Sequence, residues 1–161
     1  MGRITLVANT GTYLDTPAHR YGQGHDLAGL PPERRAHLPA RVVEASTEVI
    51  DAGLLPDAGL AGCAVLIRTG WDRHWGTERY GEAGHPHLTE AAAQHVADRN
   101  VALVGIDSVN IDDTAGGHRP VHSVLLASGI LEHLTNLGDL PETGASFTPC
   151  LPRSPAWPSS R

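Results

Sequence analysis

Apolar and polar positions along this chain fall into short, interleaved segments. Cys63-Ala-Val-Leu-Ile67 runs apolar without a break towards Thr69. An unalternated run of that length predicts a strand covered on both faces. Val101-Ala-Leu-Val-Gly-Ile106 predicts a second strand of the same kind, and Arg41-Val-Val-Glu-Ala45 a shorter one. Residues 130–134 and 145–151 are further strand candidates, and residues 4–14 read as an extended strand. The clearest helix is Leu88-Thr-Glu-Ala-Ala-Ala-Gln-His-Val-Ala-Asp-Arg99, in which Thr89 is a natural N-cap and the alanines favour the helical state. A second helix is expected over 121–128, with Pro120 in its first turn and Gly129 as its C-cap. Residues 26–35 hold at most short helical turns, because Gly29, Pro31 and Pro32 interrupt them. Residues 71–84 read as a polar loop carrying Trp71 and Trp75.

Strands and helices therefore alternate, but through long loops rich in glycine and proline. That pattern suits a mixed α/β domain better than a regular doubly wound sheet. One domain over 1–148 is expected, followed by an irregular tail over 149–161 rich in proline and serine. With 161 residues and 40% hydrophobic content, the chain has enough apolar material for a single core. The net charge of -6 is spread along the sequence rather than gathered in basic runs, which argues against a nucleic-acid partner. The two cysteines, Cys63 and Cys150, make no disulfide framework. Cys63 is expected to act as a small buried hydrophobe. No signal-like or membrane-spanning apolar stretch is present, so the reading is a soluble cytoplasmic protein without a membrane partner.

Candidate chemistry concentrates in Asn9-Thr-Gly-Thr-Tyr-Leu-Asp-Thr-Pro-Ala-His19. On a strand, Asn9, Gly11, Tyr13 and Asp15 would share one face. Pro17 ends regular pairing, and His19 follows on the turn. Asp15 is either a functional carboxylate or a turn cap, and His19 either an acid/base group or a surface histidine. Trp71 and Trp75 either line a pocket for a flat substrate or anchor their loop. Asp107, Asn110, Asp112 and Asp113 form a polar cluster that reads equally as functional or as Asx-rich turns. His85 and His87 read as solvated loop histidines. His118 falls outside the helix that Pro120 begins, so it does not pair with His122.

The same segment resembles the signature of the cyclase family, which includes bacterial kynurenine formamidases and isatin-hydrolase-like enzymes. That signature reads His-x-Gly-Thr-His-x-Asp-x-Pro-x-His. Gly11, Thr12, Asp15, Pro17 and His19 fall on it, while Asn9 and Tyr13 stand at the two leading histidine positions. Leu66-Ile-Arg-Thr-Gly-Trp71, Val104-Gly-Ile-Asp-Ser108 and the run from His122 to Leu137 resemble further family segments in family order. The resemblance implies a swivelling β/β/α fold, a divalent metal (zinc or manganese), and homodimers or larger homo-oligomers. It also implies that His19 is the acid/base group and that His122 and Glu132 complete a second metal position with Asp15. The spacing between His122 and Glu132 is about two residues short of the family pattern. Against that pattern, the signature begins early in this chain and the chain ends in an irregular tail, as expected of a short variant or a truncated product.

Replacement of two metal-binding histidines predicts a weakened or absent metal. An amide oxygen is a poor ligand, and a phenol must lose a proton of pKa near ~10. The expected function is an arylformamidase-like hydrolase acting on an amide, formamide or lactam-type carbonyl of a small molecule. His19, Glu132 and His122 would be catalytic, and Asn9, Tyr13 and Trp71 would bind substrate. The alternatives are a non-catalytic binding or assembly relative, or a metal-free cyclase or dehydratase of secondary metabolism.

Overall fold

The computed structural model describes residues 5, 7 and 9–149. Its centre is a six-stranded mixed sheet in the order β1-β7-β6-β4-β2-β8. The strands are β1 (Tyr13–Asp15), β2 (Leu38–Glu44), β4 (Ala64–Arg68), β6 (Leu103–Ile106), β7 (Ile130–Glu132) and β8 (Ser146–Phe147). β2, β4, β6 and β7 run parallel, while β1 and β8 close the two edges in antiparallel register. A separate parallel pair joins β3 (Val49–Ile50) to β5 (His87–Leu88). The helices are α1 (Glu90–Asp98) and α2 (Pro120–Leu125).

The continuous apolar runs are explained by a core on each side of the sheet. Val65, Ile67, Val104, Ile106 and Ile130 meet Ala92, Ala93 and Val96 of α1 and Val121 and Leu125 of α2. Ala64, Leu66, Leu103 and Leu131 point the other way, towards Leu30, Leu38, Leu134 and Leu137. Alternating side chains on one strand thus both find apolar partners. Gly105 leaves room for this packing, since a Cβ there would lie 2.5 Å from Leu134 Cδ1. The Thr89 hydroxyl caps α1 by accepting from Ala92 N. Gly129, at φ 92°, lets its N–H reach the Leu125 and Leu126 carbonyls after α2. α2 itself ends at Leu125, three residues before the expected stop.

Several expectations need correction. Residues 9–12 form a turn, with Gly11 at φ 71°, and only Tyr13–Asp15 are strand. Asn9, Tyr13 and Asp15 therefore do not alternate along one strand; Tyr13 and Asp15 share a face, and Asn9 arrives from the turn. Residues 4, 6 and 8 of the expected strand lie outside the described residues, as do 150 and 151 and the tail to 161. Residues 71–84 are not a plain loop but contain two short 3-10 helices, Trp71–His74 and Glu78–Gly81. The strand expected over 130–134 stops at Glu132 because His133 takes φ 59°. Cys63 is half-buried rather than buried, and its thiol donates to the Gly59 carbonyl. Among the described residues no helix is long and apolar enough to cross a membrane.

Candidate active site

Strand register assembles the site. Tyr13 of β1 stands directly opposite Glu132 of β7, and directly opposed side chains on an antiparallel pair meet on one face. The Tyr13 hydroxyl donates to Glu132 Oε2, and the backbone N–H of Ile111 donates to Glu132 Oε1 at 2.8 Å. Asp15, two residues on, projects to the same face. Pro17 starts a 3-10 turn that carries His19 back over the strand end. There His19 Nδ1 lies 3.1 Å from Asp15 Oδ1, with the histidine side chain 26% exposed and the carboxylate 9%.

His122 enters from α2 and is held from behind by Asp112. One Asp112 oxygen accepts from Val121 N, at 2.8 Å. The other accepts from His122 N at 3.1 Å and from His122 Nδ1 at 2.5 Å. A carboxylate on Nδ1 fixes ring orientation and leaves Nε2 facing inward. That nitrogen lies 3.6 Å from Asp15 Oδ2 and 3.8 Å from Glu132 Oε1. Asn9, Tyr13, Asp15, His19, His122 and Glu132 border a cavity of about 460 Å³.

The electrostatics follow from burial and pairing. Burial works against the charged form of Asp15, but the neighbouring His122 and His19 outweigh that and hold its pKa below the usual carboxylate range. The Asp15 bond raises the pKa of His19. Burial opposes the His122 imidazolium, yet Asp112 and Asp15 overcome it and push the pKa up to about 9. Burial raises Glu132, against the pull of His122. Burial and the neighbouring Glu132 push the Tyr13 phenol far up, so it stays a donor rather than becoming an anionic ligand.

A divalent cation fits this donor set. Ligand atoms from Asp15, His19 and His122 all lie within 4.8 Å of one another. Asp15 Oδ2 is buried without a hydrogen-bond partner among the described residues, and His122 Nε2 is too far away to supply one. Three protein ligands with a remaining open position suit a catalytic metal. This trio includes His19, which the sequence assigns to proton transfer, and leaves out Glu132, which is already engaged by Tyr13 and Ile111.

Other candidates sit elsewhere. Trp71 is buried, donates its ring N–H to the Tyr80 carbonyl at 3.0 Å and does not border the cavity. Trp75 packs edge-on against Tyr80 and His133. Asp107 binds Thr69 and Gly70 by accepting their backbone N–H groups, tying the ends of β4 and β6 together. His85 is not solvated: it is buried, with Nε2 2.9 Å from Thr114 Oγ1 and Nδ1 3.2 Å from Ser108 Oγ. Asp112 was one member of a polar cluster in the sequence. Its link to His122 spans ten positions, through an irregular loop into the first turn of α2, and has no periodic signal.

Comparison with known proteins places the chain among relatives of one family. A family model described as "Putative cyclase" matches residues 2–113. The kynurenine formamidase of Polaromonas naphthalenivorans (strain CJ2) is 31% identical over 151 residues, covering 88% of this chain and 63% of that protein. A kynurenine formamidase of Bacillus cereus (strain ATCC 14579) is 28% identical over 132 residues, covering 81% and 61%. The chain thus spans about three fifths of the length of these curated relatives. A solved potential metal-dependent hydrolase with cyclase activity superposes with a TM-score of 0.73 at 27% identity, covering 88% of this chain and 69% of its own. An isatin hydrolase bound to the product analogue thioisatinate shares the fold, with a TM-score of 0.75 at 23% identity over 87% and 64% of the two chains.

Proposed function

This chain belongs to the cyclase family, and from that membership we propose that its cavity hydrolyses a small amide, formamide or lactam-type carbonyl, as an arylformamidase-like enzyme. The observation that most supports this reading is the Asp15–His19 pair on the cavity wall beside a fixed His122. Asp15 holds the proton on His19 Nδ1, which leaves the lone pair on Nε2. Water against Nε2 gives that nitrogen a proton as its oxygen adds to the carbonyl carbon. The C–N bond then breaks and the imidazolium returns the proton to the departing nitrogen. One water is consumed, and an acid and an amine are released.

His122 Nε2–H and the Asn9 amide face the oxygen that gains charge, and Asp112, Asp15 and Glu132 together hold His122 in its charged form. General acid/base transfer of this kind is worth roughly 10²–10⁴-fold, and one oxyanion donor about 10²–10³-fold. Asp15, His19 and His122 would hold a divalent cation. When bound, such a cation polarises the carbonyl and acidifies water. It also draws on the His19 lone pair and requires both imidazoles to be deprotonated, so the metal site belongs to this proposal as a weak one. A cytoplasmic setting and a homodimer or larger assembly complete the proposal; sedimentation at micromolar concentration tests the latter.

Titrating zinc or manganese into chelator-treated protein, while following N-formylkynurenine, formanilide and isatin, tests the function. Turnover of at least one compound without stoichiometric metal is expected. Activity that appears only with one tightly held metal per chain would overturn the weak-metal mechanism. Binding without turnover of any of the three would favour the non-catalytic alternative, for which the replaced positions Asn9 and Tyr13 speak.

A further inference from the structure

The cavity has an acidic floor and a basic rim. Asp15 and Glu132 lie deep, with Asp112 behind His122, while Arg20 and Arg119 border the mouth. These two arginines come from different elements and meet: Arg20 follows His19 on the 3-10 turn and donates Nη1–H to the Arg119 carbonyl at 2.9 Å. Arg119 stands just before α2. Its Nη1 donates to the Asp113 carbonyl at 2.8 Å and to the Gly116 and His118 carbonyls at 3.3 Å each. Three carbonyls on one nitrogen anchor that end of the guanidinium and leave the Nε–Nη2 edge to present donors.

Position at the cavity, together with charge pairing, separates these two residues from other arginines: Arg34, Arg35 and Arg73 also bond to backbone carbonyls but do not border the cavity. Arg68, Arg79 and Arg99 each pair with a carboxylate, from Glu44, Glu82 and Asp57 respectively. Arg20 and Arg119 make hydrogen bonds only to backbone carbonyls, and among the described residues no carboxylate forms an ion pair with either. Two guanidinium groups without a counter-ion, at the mouth of a cavity whose reacting groups lie deeper, match a planar anion on the part of a substrate that stays outside. A carboxylate fits, because it accepts two parallel N–H bonds from a guanidinium edge. It is also kept off the floor by Asp15 and Glu132.

We propose that Arg20 and Arg119 form a carboxylate-binding rim, so that the preferred substrate is an amide or formamide carrying a carboxylate beside the bond that is cleaved. The inference deepens the hydrolase reading and rests on it for the word substrate, but the binding site itself does not require turnover. Arg20 and Arg119 are then specificity residues, and the acid/base groups remain those of the floor.

Two paired comparisons test it on the full chain. Binding of 2-aminobenzoate and of aniline is measured by titration calorimetry on chelator-treated protein. KM values are measured for 2-formamidobenzoate and formanilide. The carboxylated member of each pair should bind about tenfold more tightly, and that preference should shrink towards parity in Arg20→Gln and at 0.5 M salt, since rim charges are screened. Arg119→Lys, which keeps the charge but loses the fork and the carbonyl anchor, should lose part of the preference. It also serves as the second variant should Arg20→Gln fail to fold. Equal binding of the acid and the neutral compound by the unaltered protein would overturn the proposal. So would a preference that persists in both variants, because deeper groups would then read the carboxylate. If neither formamide is hydrolysed while 2-aminobenzoate still binds through Arg20, the hydrolase reading fails and the anion site stands.

Discussion

Asp112 offers the sharpest link between the packing of this site and its chemistry. The carboxylate is 1% exposed and accepts three hydrogen bonds, from Val121 N, His122 N and His122 Nδ1. Asp112→Ala removes both acceptor oxygens and their three hydrogen bonds, and strands two backbone donors at the start of α2 together with a buried imidazole N–H. Each buried unsatisfied donor costs about 1–3 kcal/mol, and breaking a buried charged pair about 3–5 kcal/mol in all. A loss near ~4 kcal/mol is expected, or roughly 8–16 °C in Tm for a domain of this size. Asp112→Asn keeps an oxygen for the backbone donors but loses the charge on Nδ1, and should cost about 1–2 kcal/mol. Urea unfolding at neutral pH, read as the midpoint at constant m, gives both values. Turnover should fall more in Asp112→Asn than its stability loss accounts for, because His122 loses the carboxylate that holds it in its charged form. An Asp112→Ala protein within ~0.5 kcal/mol of the parent would refute the anchoring role.

Three further outcomes follow from the same structure. Burial lowers the pKa of His85, so its neutral form is favoured in the folded state; the stability this gives is full above the unfolded value near ~6.5 and is lost as pH falls towards the folded pKa. His85→Gln should therefore flatten the drop in unfolding free energy between pH 7 and pH 5, and an unchanged slope would refute this. Gly105→Ala should cost about 1–3 kcal/mol through the clash with Leu134 Cδ1, and pairing it with Leu134→Ala should return part of that loss in thermal unfolding. Elemental analysis of protein purified without chelator should find far less than one zinc per chain, and Asn9→His with Tyr13→His should raise that fraction; a stoichiometric metal surviving dialysis in the parent would contradict the weak-metal account.

The central strands were legible because each apolar run packs on both faces. The segments at 63–69 and 101–106 contain β4 and β6. Thr89 and Gly129 were legible for a local reason, since capping is written within a few residues. Residues 9–12 misled because alternation in a polar, glycine-containing stretch does not separate a strand from a turn. β1 is short because β7 offers it only three partners. The contacts that make the site were hidden by distance along the chain. Tyr13 meets Glu132 across 119 residues, and His85 finds Ser108 and Thr114 more than twenty residues away. The family resemblance pointed to Asp15, His19, His122 and Glu132, but not to the anchoring of His122 by Asp112 or to the two arginines at the rim.

The proton-transfer role of His19 is tested most directly by chemical rescue. Turnover of formanilide by His19→Ala would be measured with and without added imidazole, in protein whose unfolding free energy is matched to the parent within about 0.5 kcal/mol. The account predicts a loss of roughly 10²–10⁴-fold, partly restored by imidazole in proportion to its free-base concentration. Full turnover in His19→Ala, or a loss that imidazole leaves untouched in a folded protein, would contradict it.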